Sequence, residues 1–233
     1  MTRQPLGDPI AFTSATPPEP DTVLRGRYVL LRRPQPETDA RPLFDASHLP
    51  GGDPTIWTYL YDGPYASAAA FAAALADNAA SRDPQYRTIV RLADQLPAGV
   101  CSYLAIVPEH GTIEIGNIWF APELQRTTGA TEAIQLLVGH AIDELGYRRV
   151  EWKCNSLNAR SRSSAERFGF RFEGIFAQHR VVKGRNRDTA WYAITDDRWP
   201  ALREAYEVWL RPDNFDAAGS QRRSLRDLTA ATG

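Results

Sequence analysis

Six consecutive residues, Arg126-Thr127-Thr128-Gly129-Ala130-Thr131, have the types and spacing to hold a phosphate. They follow an apolar run, Ile118-Trp119-Phe120, and a turn, Ala121-Pro122-Glu123, and they precede a stretch with helical period. The first turn of a helix leaves backbone N–H groups without intrahelical acceptors and carries the positive end of the macrodipole, so an anion is stabilised there. Gly129 would let a ligand approach the backbone, the small neighbours Thr128, Ala130 and Thr131 would keep the mouth open, and Arg126 would add a charge-assisted contact. The same residues also fit an ordinary loop with a Thr N-cap, and the sequence downstream separates the two readings.

The surrounding elements follow from periodicity. Residues 112–120 read as the strand that feeds the loop. After it, Ile134, Leu137, Val138, Ala141, Ile142 and Leu145 recur at helical spacing, and Gly146 stops the helix. Residues 149–154 alternate Val150, Trp152 and Cys154 with Glu151 and Lys153, a strand with one covered face. Residues 158–168 read as a short helix closed by Gly169. Upstream, the spacing predicts a strand over 27–33, helices over 37–47 and 66–81, an aromatic loop over 53–65, and strands over 86–92 and 98–107. Downstream it predicts a hairpin, 172–182 and 188–195, turning at Lys183-Gly184-Arg185-Asn186, then a helix over 196–210. Asp188 reads as a partner of the arginines beside it. This order predicts an α+β fold: a central, mostly antiparallel mixed sheet with flanking helices. Residues 1–21 read as an extended or disordered arm, 22–212 as one domain and 213–233 as a flexible tail.

Composition narrows the partners. With 27 basic against 28 acidic residues there is no global field for nucleic acid or an anionic membrane. No apolar run approaches the ~20 residues of a membrane helix, and the N-terminal stretch lacks a signal-peptide core, so a cytoplasmic protein is expected. Cys101 and Cys154 lie in apolar runs without companions at metal spacing and read as reduced core residues; no metal is expected.

The segment Arg126-x-x-Gly129-x-Thr131 resembles the acetyl-CoA pyrophosphate loop of the GCN5-related N-acetyltransferases (GNAT), Gln/Arg-x-x-Gly-x-Gly/Ala, with Thr131 replacing the last small residue. A second block, from Val150 through Asn155, Asn158 and Ser161 to Phe168-Gly169-Phe170, resembles the ribosomal-protein N-terminal acetyltransferase branch. There a strand ends in Asn-x-x-Ser and a short helix closes on Gly-Phe. The resemblance covers residues 24–199 and implies a fold in which the fourth and fifth strands run parallel and splay around the pantetheine arm. It also implies acetyl-CoA as cofactor, held by Ile118, Trp119, Phe120, Arg126, Thr127, Thr128, Gly129, Ala130, Thr131, Asn158 and Ser161. Trp57, Tyr59, Tyr61 and Tyr65 would form a wall of the acceptor groove.

The implied reaction moves an acetyl group to a primary amine of a small molecule or a protein N-terminus by direct attack on the thioester. In the branch, the residue at the position of Ser161 protonates the departing thiolate; Ser161 and Asn158 also fit a helix first turn and its N-cap. Glu114 occupies a position from which a family carboxylate reaches the amine. His179 is a rival base, and the absence of any dedicated base is a third reading. An α-amine of pKa ~8 is roughly a tenth deprotonated at pH 7 and a lysine amine below about one part in a thousand, so a base matters more for the lysine. Two alternatives remain: an acyl-CoA-binding module without catalysis, and a transferase of a longer acyl group such as succinyl from succinyl-CoA. Either a monomer or a homodimer is compatible with the sequence.

Overall fold

The computed structural model describes residues 4–48 and 50–232; Met1 to Arg3 of the expected arm and Gly233 of the expected tail lie outside them. The strands are β1 Leu24–Arg25, β2 Val29–Arg32, β3 Gln85–Arg91, β4 Pro97–Val107, β5 Thr112–Phe120, β6 Arg149–Asn155, β7 Arg171–Val182 and β8 Arg185–Thr195. They form one sheet in the order β1-β2-β3-β4-β5-β6-β8-β7, antiparallel throughout except where β5 meets β6. The helices are α1 Pro36–Ser47, α2 Ala68–Ala80, α3 Thr128–Gly139, α4 Ala159–Arg167, α5 Trp199–Trp209 and α6 Leu225–Ala230.

Apolar alternation along the strands gives the sheet two covered faces. On one, Ile134, Leu137 and Val138 of α3 and Leu202 and Tyr206 of α5 meet Leu31, Tyr103, Ile113, Ile115, Val150 and Tyr192 in the main core. On the other, Leu43 of α1 and Phe71 and Leu75 of α2 meet Trp57, Val100 and Trp119 in a second cluster. Phe71 and Leu75, one turn apart, are the two buried residues of the otherwise Ala-rich α2.

The differences from the sequence expectations have local causes. The strand expected over 27–33 starts only at Val29, because the N–H groups of Arg27, Tyr28 and Val29 all donate to the Glu132 carboxylate of α3, at 2.8, 2.7 and 3.0 Å. The hairpin turn is tighter than expected: Lys183 and Gly184 both have positive φ, 49° and 71°, the backbone of a two-residue turn that matches strand twist. Residues 214–232 are not a loose tail. Leu225 and Leu228, three apart on α6, are buried, and Asn214 joins the end of α5 to the chain leading into α6 through Trp209 O, Arg223 O and Arg223 N. The polar composition of the stretch hid that pair of leucines. Residues 4–21 have no regular structure, yet they are pinned: Arg87 and Gln85 of β3 donate to the carbonyls of Glu19 and Pro18, and Arg87 also to that of Thr22 just beyond them.

Asp39 ties α1 to the sheet. Fully buried, it accepts from both terminal nitrogens of Arg32 at 2.8 and 2.6 Å, from Gln35 N at 2.9 Å and from Thr88 Oγ1 at 2.8 Å. Burial pushes its pKa up, but these donors outweigh it and the net shift is downward. A carboxylate with a depressed folded pKa stabilises above the unfolded value and loses that contribution as pH falls through the folded one. Asp39→Asn should therefore cost about 3 kcal/mol at pH 7, the low end for breaking a buried pair. Urea melts at descending pH should show the gap between the two proteins narrowing only in the acid range.

Candidate active site

One cleft of about 2050 Å³ opens where β5 and β6 part. The two strands pair only at Thr112↔Arg149, Ile113↔Val150 and Glu114↔Glu151. Beyond Glu114, β5 turns away: Asn117 sits at φ 50° in a bulge opposite β4, its amide donating to Ser102 Oγ at 3.0 Å while that hydroxyl donates to Gly116 O at 3.1 Å. A bulge shifts the phase of the strand. Ile113 and Ile115 consequently face the main core, whereas Trp119 joins Val100 and Trp57 in the second cluster. Because the strands part here, residues from both faces of the sheet line the same cleft.

On the α3 face, the N-cap Thr127 accepts from Ala130 N at 3.3 Å, and Arg126, Thr127, Thr128, Ala130 and Thr131 all line the cleft. Arg126 holds a left-handed backbone, φ 61°, and its exposed side chain makes no ion pair among the described residues. Gly129 differs from its expected role. It is buried and does not line the cleft, and a Cβ there would lie 2.9 Å from Val29 Cγ1 and 3.2 Å from Leu124 Cδ1, so the glycine lets α3 close on β2. Thr131 turns its hydroxyl to accept from Arg167 Nη1 at 3.1 Å. That tether holds Arg167 at the cleft wall, stacked 4.9 Å from the Trp209 ring. Arg167 was not singled out in the sequence; its position one helical turn beyond Ser163 and Ser164 gave no signal. Trp209, Pro212, Phe215, Gly219 and Gln221 complete this end, so the C-terminal stretch is part of the wall.

In the middle, Asn158 caps α4 by accepting from Ser161 N at 3.1 Å. Ser161 Oγ accepts from Trp152 Nε1 at 3.0 Å, which leaves the serine proton free to donate. The neighbouring Cys154 thiol is raised by burial, an effect the serine partly offsets.

On the α1–α2 face, Glu114 is buried and its Oε2 lies 2.9 Å from Lys153 Nζ, which also reaches Glu151 at 2.7 Å and sits 4.1 Å above the Trp191 ring. Burial raises the Glu114 carboxyl above the ordinary carboxylate range, and Lys153 offsets only part of that. His179 lines the cleft too, and its pKa is lowered by burial and by the positive charges of Arg180, Arg187 and Lys153. Asp188 pairs with neither arginine; it accepts from Gln178 N at 2.7 Å and Asn186 Nδ2 at 2.9 Å.

The aromatic loop divides. Tyr59 and Tyr61 line the cleft, Tyr59 donating to Leu157 O at 3.3 Å across it. Trp57 and Tyr65 are drawn instead into the second cluster: Trp57 Nε1 donates to Ser47 O at 3.0 Å, and the two rings meet edge to face at 5.4 Å. Spacing alone could not separate the two sets, because all four aromatics fall within one irregular loop.

Comparison with known proteins agrees with this geometry. The family described as Acetyltransferase (GNAT) domain matches residues 29–171. Among solved structures, the chain is similar to a GCN5-related N-acetyltransferase from Brucella melitensis, with 43% identity and a TM-score of 0.90 over 94% of this chain and 99% of that one. It is also similar to a GNAT-family protein from Chromobacterium violaceum, with 38% identity and a TM-score of 0.77 over 86% of this chain and 100% of that one. A RimL ribosomal L7/L12 alpha-N-protein acetyltransferase shares the fold, with 22% identity and a TM-score of 0.63 over 75% of this chain and 94% of that one. No curated protein matches the sequence.

The Glu132 carboxylate, with its three backbone donors, fixes the start of α3 against the β1–β2 turn. Glu132→Gln keeps the shape but replaces a charged acceptor by a neutral one, and should lower stability by about 1.5–3 kcal/mol, the range for hydrogen bonds to charged groups. Chemical denaturation should show a lower midpoint with an unchanged m-value.

Proposed function

The chain belongs to the GNAT acetyltransferase family, and we propose that it transfers an acetyl group from acetyl-CoA to a primary amine of a small molecule or a protein N-terminus. The observation that carries this reading is the single cleft lined from both faces of the sheet, with N–H groups and arginines on the α3 face and a paired carboxylate on the other. The residues present fit the cofactor: Thr127 and Thr128 at the helix start, Arg126, and Arg167 held by Thr131 together make a mouth suited to phosphates. When bound, acetyl-CoA would supply the acetyl thioester.

The chain's own groups divide the proton chemistry. Glu114 Oε accepts the proton of an incoming ammonium, helped by the burial that raises its affinity for one. His179 is the poorer base, since the imidazolium it would form faces three cations. Backbone N–H groups of β5 beyond Gly116, near Ile118 and Trp119, polarise the carbonyl. Ser161 Oγ, with Trp152 donating to it, gives its proton to sulfur and regains one from solvent. Asn158 orders that serine through the helix cap. Thiol release from acetyl-CoA with a library of amines, beside calorimetry of acetyl-CoA binding, tests the reading: binding without release for any amine would make the protein a binding module instead.

Two variants test the roles. Wild-type kcat/KM should rise through an acidic limb lying above the ordinary carboxylate range, because the Glu114 pKa is raised. Glu114→Gln should lose the limb, and its residual rate should follow the free-amine fraction, about tenfold per pH unit. Loss of the limb in His179→Gln alone would transfer the role to His179. Ser161→Ala should lower kcat roughly 10- to 100-fold with little change in cofactor affinity, at the low end for acid catalysis because a thiolate departs readily. An unchanged kcat with a lower melting temperature would reduce Ser161 to a structural acceptor for the Trp152 indole.

A further inference from the structure

The wall of the cleft opposite α3 carries polar atoms that the protein itself leaves without partners. Arg187, Thr189 and Trp191 alternate on β8 and so share one face, and all three line the cleft with His179 of β7. Arg187 is 7% exposed and Thr189 1%. Among the described residues, Arg187 Nε, Thr189 Oγ1, Trp191 Nε1 and His179 Nδ1 are buried atoms with no hydrogen-bond partner. Buried polar groups are normally satisfied, so four orphans on one wall mark a place where a ligand completes the set.

The charges say what kind of ligand. Arg180 and Arg187 are directly opposite each other across β7 and β8, an arrangement that is unfavourable for like charges. Neither makes an ion pair among the described residues; the adjacent Asp188 is held on the β7 bulge, and Glu114 is committed to Lys153. The bulge at Gln178, φ 52°, re-aims His179 to the cleft. The Arg187 guanidinium lies 4.9 Å from the Tyr61 ring, which supports its plane without neutralising it. Water could satisfy the hydroxyl and the indole, but only an anion offsets the like charges of two cross-strand arginines. The aromatic loop is tied down over this end: Lys183 Nζ donates to Trp57 O at 2.7 Å and Asp62 O at 2.9 Å, and Tyr59 reaches Leu157 O. These ties favour a small occupant over a long peptide.

The geometry points to a small acceptor that carries an oxyanion, a carboxylate or its phosphonate equivalent, in the same molecule as its amine, with Arg187 and Arg180 gripping the anion while Trp191 and Thr189 donate to it. This rests on the acetyl-transfer reading above. It places the amine toward Glu114, whose carboxyl already senses the Arg187 charge.

The test uses matched acceptors with the full-length protein: amino acids, their α-amides, the corresponding decarboxylated amines, aminophosphonates, and short peptides with free N-termini. Thiol release and product mass are read together. The wild type should favour the anionic members over their amides by about 10- to 100-fold in kcat/KM, the discrimination expected when a site built for a charged group meets one that lacks it. Carboxylate and phosphonate arms separate the two oxyanions. Arg187→Gln should bring the acid-to-amide ratio close to one with acetyl-CoA affinity unchanged. Arg180→Gln, at an exposed position that tolerates substitution, should lower the ratio in the same direction. Arg187→Lys, which keeps the charge but not the fork, should fall between, and melting curves show which variants are folded. Equal rates for acids and amides in the wild type, or peptides accepted while the small acids are inert, would overturn the inference and leave acetyl transfer standing. No release with any amine would instead overturn the transfer reading. In that case calorimetry of the same amino acids in the presence of CoA still decides the site, since binding that Arg187→Gln abolishes supports it and no binding refutes it.

Discussion

The pairing of β5 with β6 stops after three residue pairs, and the rest of the molecule is arranged around that interruption. A strand that leaves its neighbour exposes backbone groups that must find partners. Here the departure is stabilised from the other side, where the left-handed Asn117 and Ser102 close the bulge on β4. The same bulge turns Trp119 to the face of Val100 and Trp57, so that the α1–α2 layer has something to bury where the sheet is open. An unbulged β5 would keep Trp119 in phase with Ile113 and Ile115, and the second cluster would lose one of its two large indoles.

The two sides of the opening use different physics. On the α3 side the electropositive character is mainly backbone, a helix start whose position is set by Glu132 gripping the β1–β2 turn and by the missing side chain at Gly129. On the other side it comes from side chains: Arg180 and Arg187 on the β7–β8 hairpin, and Lys153 on the adjoining β6. A backbone dipole is fixed in place, whereas side chains on the outer strand pair can be exchanged without moving the sheet. The fold can therefore keep one ligand constant and vary the other.

Much of this was legible in the sequence. The 112–120 strand, the alternation from Arg149 and the helical period after Thr131 depend on local patterns, and the structure has those elements close to the expected bounds, except that α3 ends at Gly139 and the expected run to Leu145 is completed by a π-helical turn, His140–Glu144. The α+β class and the splayed parallel pair followed from element order and from the resemblance carried by two short blocks. What was missed depends on contacts distant in sequence. Gly129 looked like a ligand-facing glycine because nothing nearby reveals that Val29 lies against it. Arg167 gains its place through Thr131 and Trp209, on two other helices. Trp57 and Tyr65 were indistinguishable from Tyr59 and Tyr61 until the folding of α2 gave the first two Phe71 to pack on. The 213–233 segment looked like a tail because its two buried leucines are diluted by arginine, serine and glycine.

That segment bears on how the protein is made. The sheet is complete at β8, but the wall beside Arg167 still needs Trp209, Pro212, Phe215 and Gln221. A chain leaving the ribosome folds from its N-terminal end, and at about 5–20 residues per second residues 209–221 arrive on the order of seconds after the strands. During that interval the Arg167 end of the cleft is open on one side. A chain cut short after α5 would thus keep its sheet while lacking Pro212, Phe215 and Gln221 from that wall.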